Sequence, residues 1–249
     1  MNESNTATGV LSTGGASGIG LECARTVAAS GARVGIIDVN QAAALAALEH
    51  LPGSGHAALA GDVTDDIAMR LLADGFATDG PITGVIAAAG IVSRPSLAEL
   101  TADEFRRVLD INVMGVQNVL AAAAPHLVAS SPRSAIVVLG SLAAHTGGGQ
   151  MGTIAYAASK AAILGLVRAY ARELGPHRIR ANVIAPGPTE TPMTKSLSAE
   201  ERAKMLERSL IGRFAAAEEI AATAAFLLGP GAGAITGQVV HANGGAYFG

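Results

Sequence analysis

Short apolar runs alternate along the chain with longer segments in which apolar residues recur every three or four positions. The short runs predict strands at residues 10–13, 33–38, 56–60, 84–89, 134–140, 180–185 and 238–242. The longer segments predict helices at residues 19–30, 41–50, 65–77, 102–128, 153–174, 199–208 and 218–228. Because the strands are apolar at nearly every position and alternate with helices, they favour a parallel sheet covered by helices on both faces.

The whole chain, residues 1–249, is therefore predicted to form a single α/β domain with a doubly wound parallel sheet of about seven strands. Two helix boundaries have local explanations. Thr101 and Glu104 have the spacing of a capping box that opens a helix, and the pair Gly175-Pro176 ends the helix before it. Residues 1–6 are predicted to form a loose polar tail.

Composition narrows the classes of partner. Hydrophobic residues make up 50% of the chain and aromatic residues only 3%, so the core must consist mainly of Ala, Val, Ile and Leu. A net charge of -3 gives no reason to expect nucleic acid, and a single cysteine, Cys23, fits a reducing compartment. The N-terminus does not resemble a secretory signal, and Gly, Pro or charged residues interrupt the apolar runs. We expect a cytoplasmic protein without a nucleic-acid or membrane partner, and no metal site is predicted.

A glycine-rich sequence, VLSTGGASGIG at residues 10–20, joins the first predicted strand to the first predicted helix. Gly14, Gly18 and Gly20 allow a tight turn and close approach of a ligand, and the helix N-terminus offers N–H groups to a pyrophosphate. An ordinary glycine-rich turn would have the same pattern. The position after the first strand, with an acid about twenty residues further on, favours dinucleotide binding.

Two acidic residues follow the next two predicted strands. Asp38, at the end of RVGIID, is placed to accept hydrogen bonds from the ribose hydroxyls of an adenosine and to repel a 2′-phosphate. No Arg or Lys follows it closely, which favours NAD over NADP; a surface Asp that caps the next helix is the alternative. Asp62, in GDVTD, is placed to meet the adenine, while Asp65 has the position of a helix cap.

A lysine lies inside the apolar helical segment IAYAASKAAILGLV at residues 154–167. Tyr156 and Lys160 are four residues apart and share one helix face. The ammonium is expected to lower the pKa of the tyrosine, ordinarily near 10, so that its hydroxyl can serve as acid or base. Ser141 ends the strand before this helix and can hydrogen-bond a substrate oxygen. A structural role at the surface of a packed helix is the alternative, and the glycine loop and Asp38 favour catalysis.

Six motifs occur in a specific order along the chain: TGGASGIG at residues 13–20, AAAG at 87–90, Asn112 in INVMG, Ser141, YAASK at 156–160 and PGPTET at 186–191. From Thr13 to about Gly245 the sequence closely resembles the short-chain dehydrogenase/reductase family, in its compact single-domain branch. The resemblance implies a Rossmann fold, a nicotinamide dinucleotide, hydride transfer to or from a substrate carbon, and a homotetramer.

The resemblance also implies roles for individual residues. Tyr156 would be the acid/base, Lys160 would lower its pKa and hold the nicotinamide ribose, and Ser141 would polarise the substrate oxygen. Asn112 would kink its helix and hold a water that links Lys160 to solvent. The implied cofactor-binding residues are Gly14, Ser17, Gly18, Ile19, Gly20, Asp38, Asp62, Val63, Gly90, Tyr156, Lys160, Pro186, Gly187, Thr189 and Thr191.

Two departures from the family pattern stand out. The family often has Asn-Asn-Ala-Gly where this chain has AAAG at residues 87–90, which puts a structural hydrogen bond in question but not the proton chemistry. The segment between Ser141 and Tyr156 is rich in glycine and about two residues longer than is usual in the family. The extra length is expected to reshape one wall of the substrate pocket.

The predicted substrate-contacting residues are Ser141, His145, Met151 and Met193. Residues 188–212 are predicted to form a lid with a short helix, and a helix that simply packs on the sheet is the alternative. For His145, a solvated loop residue is the favoured alternative to substrate contact, and Arg94 is interpreted as an exposed loop charge rather than a partner of an acidic substrate.

The leading hypothesis is an NAD-dependent oxidoreductase that acts on a secondary alcohol or its ketone. The alternatives are an NADP-dependent reductase of 3-oxoacyl carrier thioesters, a dihydrodiol dehydrogenase, and a non-catalytic dinucleotide-binding protein. Small and apolar residues on more than one face of the helices at 102–128 and 153–174 add to the expectation of a homotetramer.

Overall fold

The computed structural model describes residues 8–249 and contains a seven-stranded sheet; the predicted tail at residues 1–6 lies outside the described residues. The strands are β1 (Gly9–Thr13), β2 (Arg33–Asp38), β3 (Ala57–Ala60), β4 (Ile82–Ala87), β5 (Ala135–Leu139), β6 (Arg180–Ile184) and β7 (Val239–Val240). Their order is β3-β2-β1-β4-β5-β6-β7, and every neighbouring pair is parallel. The doubly wound α/β fold predicted from the sequence is confirmed.

Ten α-helices connect and cover the strands within the described residues. They are α1 (Gly18–Ala29), α2 (Gln41–Leu48), α3 (Asp66–Ala77), α4 (Ala102–Leu109), α5 (Gly115–Ala129), α6 (Ala143–Thr146), α7 (Ile154–Leu174), α8 (Pro192–Lys195), α9 (Ala199–Leu206) and α10 (Ala217–Leu228). Short 3₁₀ turns lie at Gly175–His177 and Pro230–Ala232. The first of these turns follows α7 directly, so Gly175-Pro176 ends that helix as predicted.

The sheet has an aliphatic core on each face. On one face, Met69 of α3, Leu127 of α5 and Ile163 of α7 are almost completely buried. On the other face, the core includes Val27 of α1 and Ile220 of α10, together with many alanines. Small side chains allow helices to approach the sheet and each other closely, as the sparse aromatic content predicted.

The predicted helix at residues 102–128 is interrupted by a π-helical turn at Asp110–Met114, which separates α4 from α5. The run Ala102–Ala129 is 28 residues long and apolar enough, by length and composition, to span a membrane. The core helix of a soluble protein meets the same criteria, and α5 buries Val119, Leu120 and Ala123 against the sheet. Its packing is that of a core helix.

Several predicted boundaries are wrong for identifiable reasons. The third strand starts at Ala57, since the His56 ring accepts a hydrogen bond from the Val34 N–H instead of extending the ladder. The last strand is only two residues long. At the predicted capping box, Thr101 accepts the Glu104 N–H, but the Glu104 carboxylate pairs with Arg107 rather than returning to the cap. The short helices α6 and α8 were not predicted.

Candidate active site

A cavity of about 930 Å³ opens at the carboxyl ends of the central strands, where the strand order reverses between β1 and β4. Open α/β sheets bind ligands at this position. The predicted residues that line it are Gly14, Ser17, Gly18, Ile19, Gly20, Asp38, Asp62, Val63, Gly90, Ser141, Met151, Tyr156, Lys160, Pro186, Gly187, Thr189, Thr191 and Met193. Of the predicted site residues, only Asn112 and His145 do not line it.

The glycine loop forms one end of the cavity. Gly14 and Gly18 have φ angles of 60° and 54°, a conformation that other residues rarely adopt. A Cβ on Gly14 would lie 2.8 Å from the Ala89 backbone, so this turn needs glycine for space as well. The loop therefore passes close to the chain that follows β4.

The beginning of α1 fits the phosphates of a dinucleotide. Ser17 has extended backbone angles at the N-cap position, but its side chain makes no capping hydrogen bond. Helices α2, α3, α4 and α9 are instead capped by the side chains of Asn40, Asp65, Thr101 and Ser198. The first N–H groups of α1 are thus left available at the wall of the cavity, where they and the helix dipole favour an anion.

The two predicted acids lie at the same end of the cavity. Asp38 accepts the Asn40 N–H at 3.0 Å through one carboxylate oxygen and the Ala16 N–H at 3.4 Å through the other. These bonds orient the carboxylate between the end of β2 and the glycine loop. Asp62 accepts the Thr64 N–H and hydroxyl, both at 2.9 Å, and Asp65 caps α3 as predicted. An anionic wall of this kind suits ribose hydroxyls better than a phosphate.

The predicted catalytic side chains meet at the other end of the cavity. Tyr156 and Lys160 lie on the first turns of α7, and Ser141 follows β5. The Lys160 ammonium donates a hydrogen bond of 2.7 Å to the Leu139 carbonyl and lies 5.9 Å from the centre of the Tyr156 ring. Strand β5 and helix α7 therefore bring the serine, tyrosine and lysine to one place.

Burial changes the proton affinities at this end. Desolvation raises the pKa of the Tyr156 hydroxyl, and a hydrogen bond with Ser141 lowers it by less. The expectation that the ammonium would lower this pKa is therefore wrong for the chain alone: Lys160 is directed to the Leu139 carbonyl, and burial dominates. Desolvation also lowers the pKa of Lys160 from 10.5 to about 8.

Asn112 lies in the π-helical turn and is completely buried. Its amide oxygen accepts the Ile91 N–H at 2.8 Å, and its amide nitrogen donates to the Ile91 carbonyl and to the Ser159 hydroxyl. The Ser159 hydroxyl donates in turn to the Tyr156 carbonyl at 2.7 Å. Asn112 thus joins the segment after β4 to the catalytic helix, and the irregular helix at this position agrees with the predicted kink.

The pKa of Lys160 leads to a testable dependence of stability on pH. Because its folded value, about 8, is below the unfolded value of 10.5, the unfolded chain binds more protons between these pH values. Wild-type stability should therefore rise with pH relative to Lys160→Met, by about 2 kcal/mol between pH 7 and pH 10. Urea unfolding of both proteins at the two pH values measures the difference. A constant difference would show that Lys160 is not desolvated.

The substrate predictions have mixed outcomes. Met151 and Met193 line the cavity, as does the glycine-rich segment around Gly148. His145 instead lies on α6 with its ring stacked on Tyr247 and does not line the cavity, and its contact with a substrate stays a prediction. Arg94 lies exposed in a loop, as predicted, and its guanidinium lies 3.8 Å from the Met151 sulfur and 3.6 Å from a Glu201 carboxylate oxygen on α9.

Sequence reasoning missed two buried hydroxyls that support the site. The Thr194 hydroxyl bonds the Thr189 carbonyl and closes a reciprocal cap with Thr191, which fixes the start of α8 beside the cavity. Ser159 is completely buried between Asn112 and Tyr156. Its place inside YAASK was the available signal. The predicted lid, residues 188–212, holds α8 and α9 and contributes to the cavity wall; its movement stays a prediction.

Comparison with known proteins agrees with this geometry. A family model described as Enoyl-(Acyl carrier protein) reductase matches residues 14–247, which is nearly the whole chain. The chain belongs to the short-chain dehydrogenase/reductase family of oxidoreductases.

Two curated relatives and one solved structure illustrate the similarity. The human (3R)-3-hydroxyacyl-CoA dehydrogenase is 34% identical, with 96% of this chain and 95% of the relative covered. The 3-oxoacyl-[acyl-carrier-protein] reductase of Escherichia coli strain K12 is 33% identical, with 96% of both chains covered. The crystal structure of a 3-oxoacyl-[acyl-carrier protein] reductase with bound NAD from Brucella melitensis has a TM-score of 0.89 at 34% identity and covers 99% of this chain and 93% of that chain.

Proposed function

We propose that this protein is an NAD-dependent oxidoreductase that transfers hydride between nicotinamide and a secondary alcohol or its ketone. The observation that carries the proposal is the shared cavity. It brings Ser141, Tyr156 and Lys160 together at one end and the uncapped start of α1 with Asp38 at the other. A protein that only binds a dinucleotide would not need the serine, tyrosine and lysine together.

The dinucleotide, when bound, supplies or accepts the hydride at its nicotinamide ring. Tyr156 exchanges the proton with the substrate oxygen, and Ser141 donates a hydrogen bond that polarises the same oxygen. Since burial raises the pKa of Tyr156, the hydroxyl stays protonated near neutral pH and is ready to act as the acid in ketone reduction. With a pKa of about 8, Lys160 is largely an ammonium at neutral pH, and we assign it to hold the nicotinamide ribose by hydrogen bonds.

The proposed preference for NAD over NADP rests on the Asp38 carboxylate. Its carboxylate is held by the Asn40 and Ala16 N–H groups at the cavity wall, where it suits two ribose hydroxyls and repels a 2′-phosphate. The similar reductase from Brucella melitensis was crystallised with bound NAD, which is consistent with this preference.

Replacing Asp38 by Ala is expected to reduce the discrimination between the dinucleotides. Loss of charge-assisted hydrogen bonds should weaken NADH binding about 10-fold or more, while removal of the repulsion should strengthen NADPH binding. Fluorescence titration with NADH and NADPH measures both dissociation constants. Glu49→Ala removes the same charge from an exposed position that does not line the cavity and should change neither. Unchanged constants in Asp38→Ala would show that this carboxylate does not select the cofactor.

The second candidate function is an NADP-dependent reductase of 3-oxoacyl carrier thioesters. It is favoured by the names of two relatives, which are a hydroxyacyl-CoA dehydrogenase and an oxoacyl carrier-protein reductase. The substrate test uses 3-oxobutanoyl-CoA and simple cyclic ketones, each with NADH and with NADPH, followed by dinucleotide absorbance. Turnover of ketones with NADH supports the first function. Turnover of the thioester with NADPH alone would support the thioester reductase instead of the NAD-dependent oxidoreductase.

We also propose a cytoplasmic homotetramer. Helices α5 and α7 present small or apolar side chains at exposed positions, including Met114 just before α5, Ala121 on α5 and Ala161 on α7. Burial of such a face against a second subunit would cover these positions. Light scattering coupled to gel filtration should give a mass about four times 24.8 kDa, and a monomer would contradict the proposal.

A further inference from the structure

Three aromatic rings pack together beside the active site: His145 on α6, and His241 and Tyr247 in the segment that follows β7. We call these three side chains the ring cluster. The ring centres lie 4.8 Å apart for His145 and His241, 4.7 Å for His145 and Tyr247, and 5.2 Å for His241 and Tyr247. His145 is stacked on Tyr247 and meets His241 edge-on. Ring pairs at these distances attract each other beyond simple burial, so the cluster joins α6 to the segment after β7.

The helix held by this cluster begins directly after the serine of the active site. The Ser141 hydroxyl oxygen accepts the Ala143 N–H at 3.1 Å, which couples the side chain to the first turn of α6. Helix α6 has only four residues and is followed by Gly147 and Gly148, whose φ angles are 75° and 115°. A helix this short is not stable alone and needs contacts from elsewhere in the chain.

The segment after β7 is itself fixed to the cavity wall. The Asn243 amide donates to the Tyr247 carbonyl at 3.0 Å and accepts the Gly245 N–H at 3.0 Å. A Cβ on Gly187, which lines the cavity, would lie only 2.6 Å from the Asn243 carbonyl oxygen, so the two backbones are in close contact. The segment therefore offers α6 a support with a defined position relative to the site.

Each of the two histidines has one buried ring nitrogen that makes no hydrogen bond to the described residues. The Nε2 atom of His145 and the Nδ1 atom of His241 are buried without a hydrogen-bond partner among residues 8–249. Neither imidazole lines the cavity. Burial of an unpaired nitrogen is unfavourable, so the rings must contribute through packing.

We propose that the ring cluster positions Ser141 by holding α6 against the segment after β7. His145, His241 and Tyr247 are then positioning residues, which act on the substrate oxygen only through the serine. The inference rests on the proposed function for the role of Ser141, but the coupling of Tyr247 to α6 does not depend on any substrate.

The first test measures this coupling by amide hydrogen exchange in Tyr247→Ala and Tyr247→Phe. The phenylalanine variant is the matched control because the Tyr247 hydroxyl makes no hydrogen bond within the described residues, while its ring keeps the stack. Exchange in residues 140–147 should be about 10-fold faster in Tyr247→Ala and unchanged in Tyr247→Phe, with α1 unaffected in both. Unchanged exchange at residues 140–147 in Tyr247→Ala, or an equal increase along the whole chain, would overturn the proposal.

The second test measures turnover of the ketone that the wild type reduces best. In Tyr247→Ala, kcat should fall about 10- to 100-fold, with the dissociation constant of the dinucleotide unchanged, because a displaced serine no longer meets the substrate oxygen. Tyr247→Phe should restore kcat. A wild-type kcat in Tyr247→Ala would contradict the positioning role. If the wild type turns over none of the ketones or thioesters, the proposed function fails, and the exchange result alone then decides whether the cluster holds α6.

Discussion

Tyr156→Phe is expected to lose nearly all turnover and to keep dinucleotide binding. The substitution removes only the hydroxyl that we propose exchanges a proton with the substrate oxygen, and the ring still fills the same place on α7. General acid or base catalysis by a positioned side chain contributes about 10²- to 10⁴-fold, so kcat should fall by about 10³-fold. Steady-state kinetics with a reducible ketone and NADH titration measure the two quantities.

Tyr170→Phe is the matched control for this experiment. Tyr170 lies on the same helix, but its hydroxyl bonds Gln117 and it does not line the cavity. The control should retain kcat within about 2-fold, with a modest loss of stability from the missing hydrogen bond. Substantial turnover by Tyr156→Phe, with either cofactor, would show that Tyr156 does not transfer the proton.

Gly20→Ala is expected to disturb both folding and cofactor binding. A Cβ at this position would lie 2.2 Å from the Gly14 carbonyl oxygen and 3.3 Å from the Gly15 Cα. These are backbone atoms, so a change of side-chain rotamer cannot relieve the clash. Overpacking in a buried turn should lower the free energy of unfolding by about 2–4 kcal/mol. Because the loop must shift, NADH should bind at least about 10-fold more weakly. Urea unfolding and NADH titration report the two effects.

The comparison for this variant is Gly75→Ala. Gly75 is exposed on α3, and a Cβ there would meet no atom within 4 Å. The change should leave NADH binding unaltered and raise stability by up to about 1 kcal/mol, since alanine favours a helix interior. Equal stability and affinity in Gly20→Ala and the wild type would contradict the tight contact between Gly14 and Gly20.

The sheet and the phosphate end of the site were predictable because their causes are local. A buried parallel strand is apolar along its whole length, and the Rossmann-type turn needs glycine at fixed positions such as Gly14 and Gly18. The carboxyl ends of parallel strands share one edge, so Asp38 and Ser141 were placed correctly as soon as their strands were recognised.

The features that were missed depend on contacts between distant segments. The π-helical turn at Asp110–Met114 contains no helix-breaking residue, and its irregularity accompanies the bonds from Asn112 to Ile91 and Ser159. The direction of the Tyr156 pKa depends on where the Lys160 ammonium points, and spacing along a helix does not give that direction. His145 contacts residues about 100 positions away, so its environment was equally invisible in the sequence.

The melting temperature with saturating NADH, compared with saturating NADPH, is the most direct measure of dinucleotide binding in the cavity, because it requires no knowledge of the substrate. A ligand at one hundred times its dissociation constant stabilises the folded state by about 2.7 kcal/mol, which corresponds to a rise of about 5–10 °C for a chain of this length. We expect this rise with NADH and a much smaller one with NADPH. A rise with NADPH alone would contradict the role of Asp38, and no rise with either dinucleotide would contradict the assignment of the cavity.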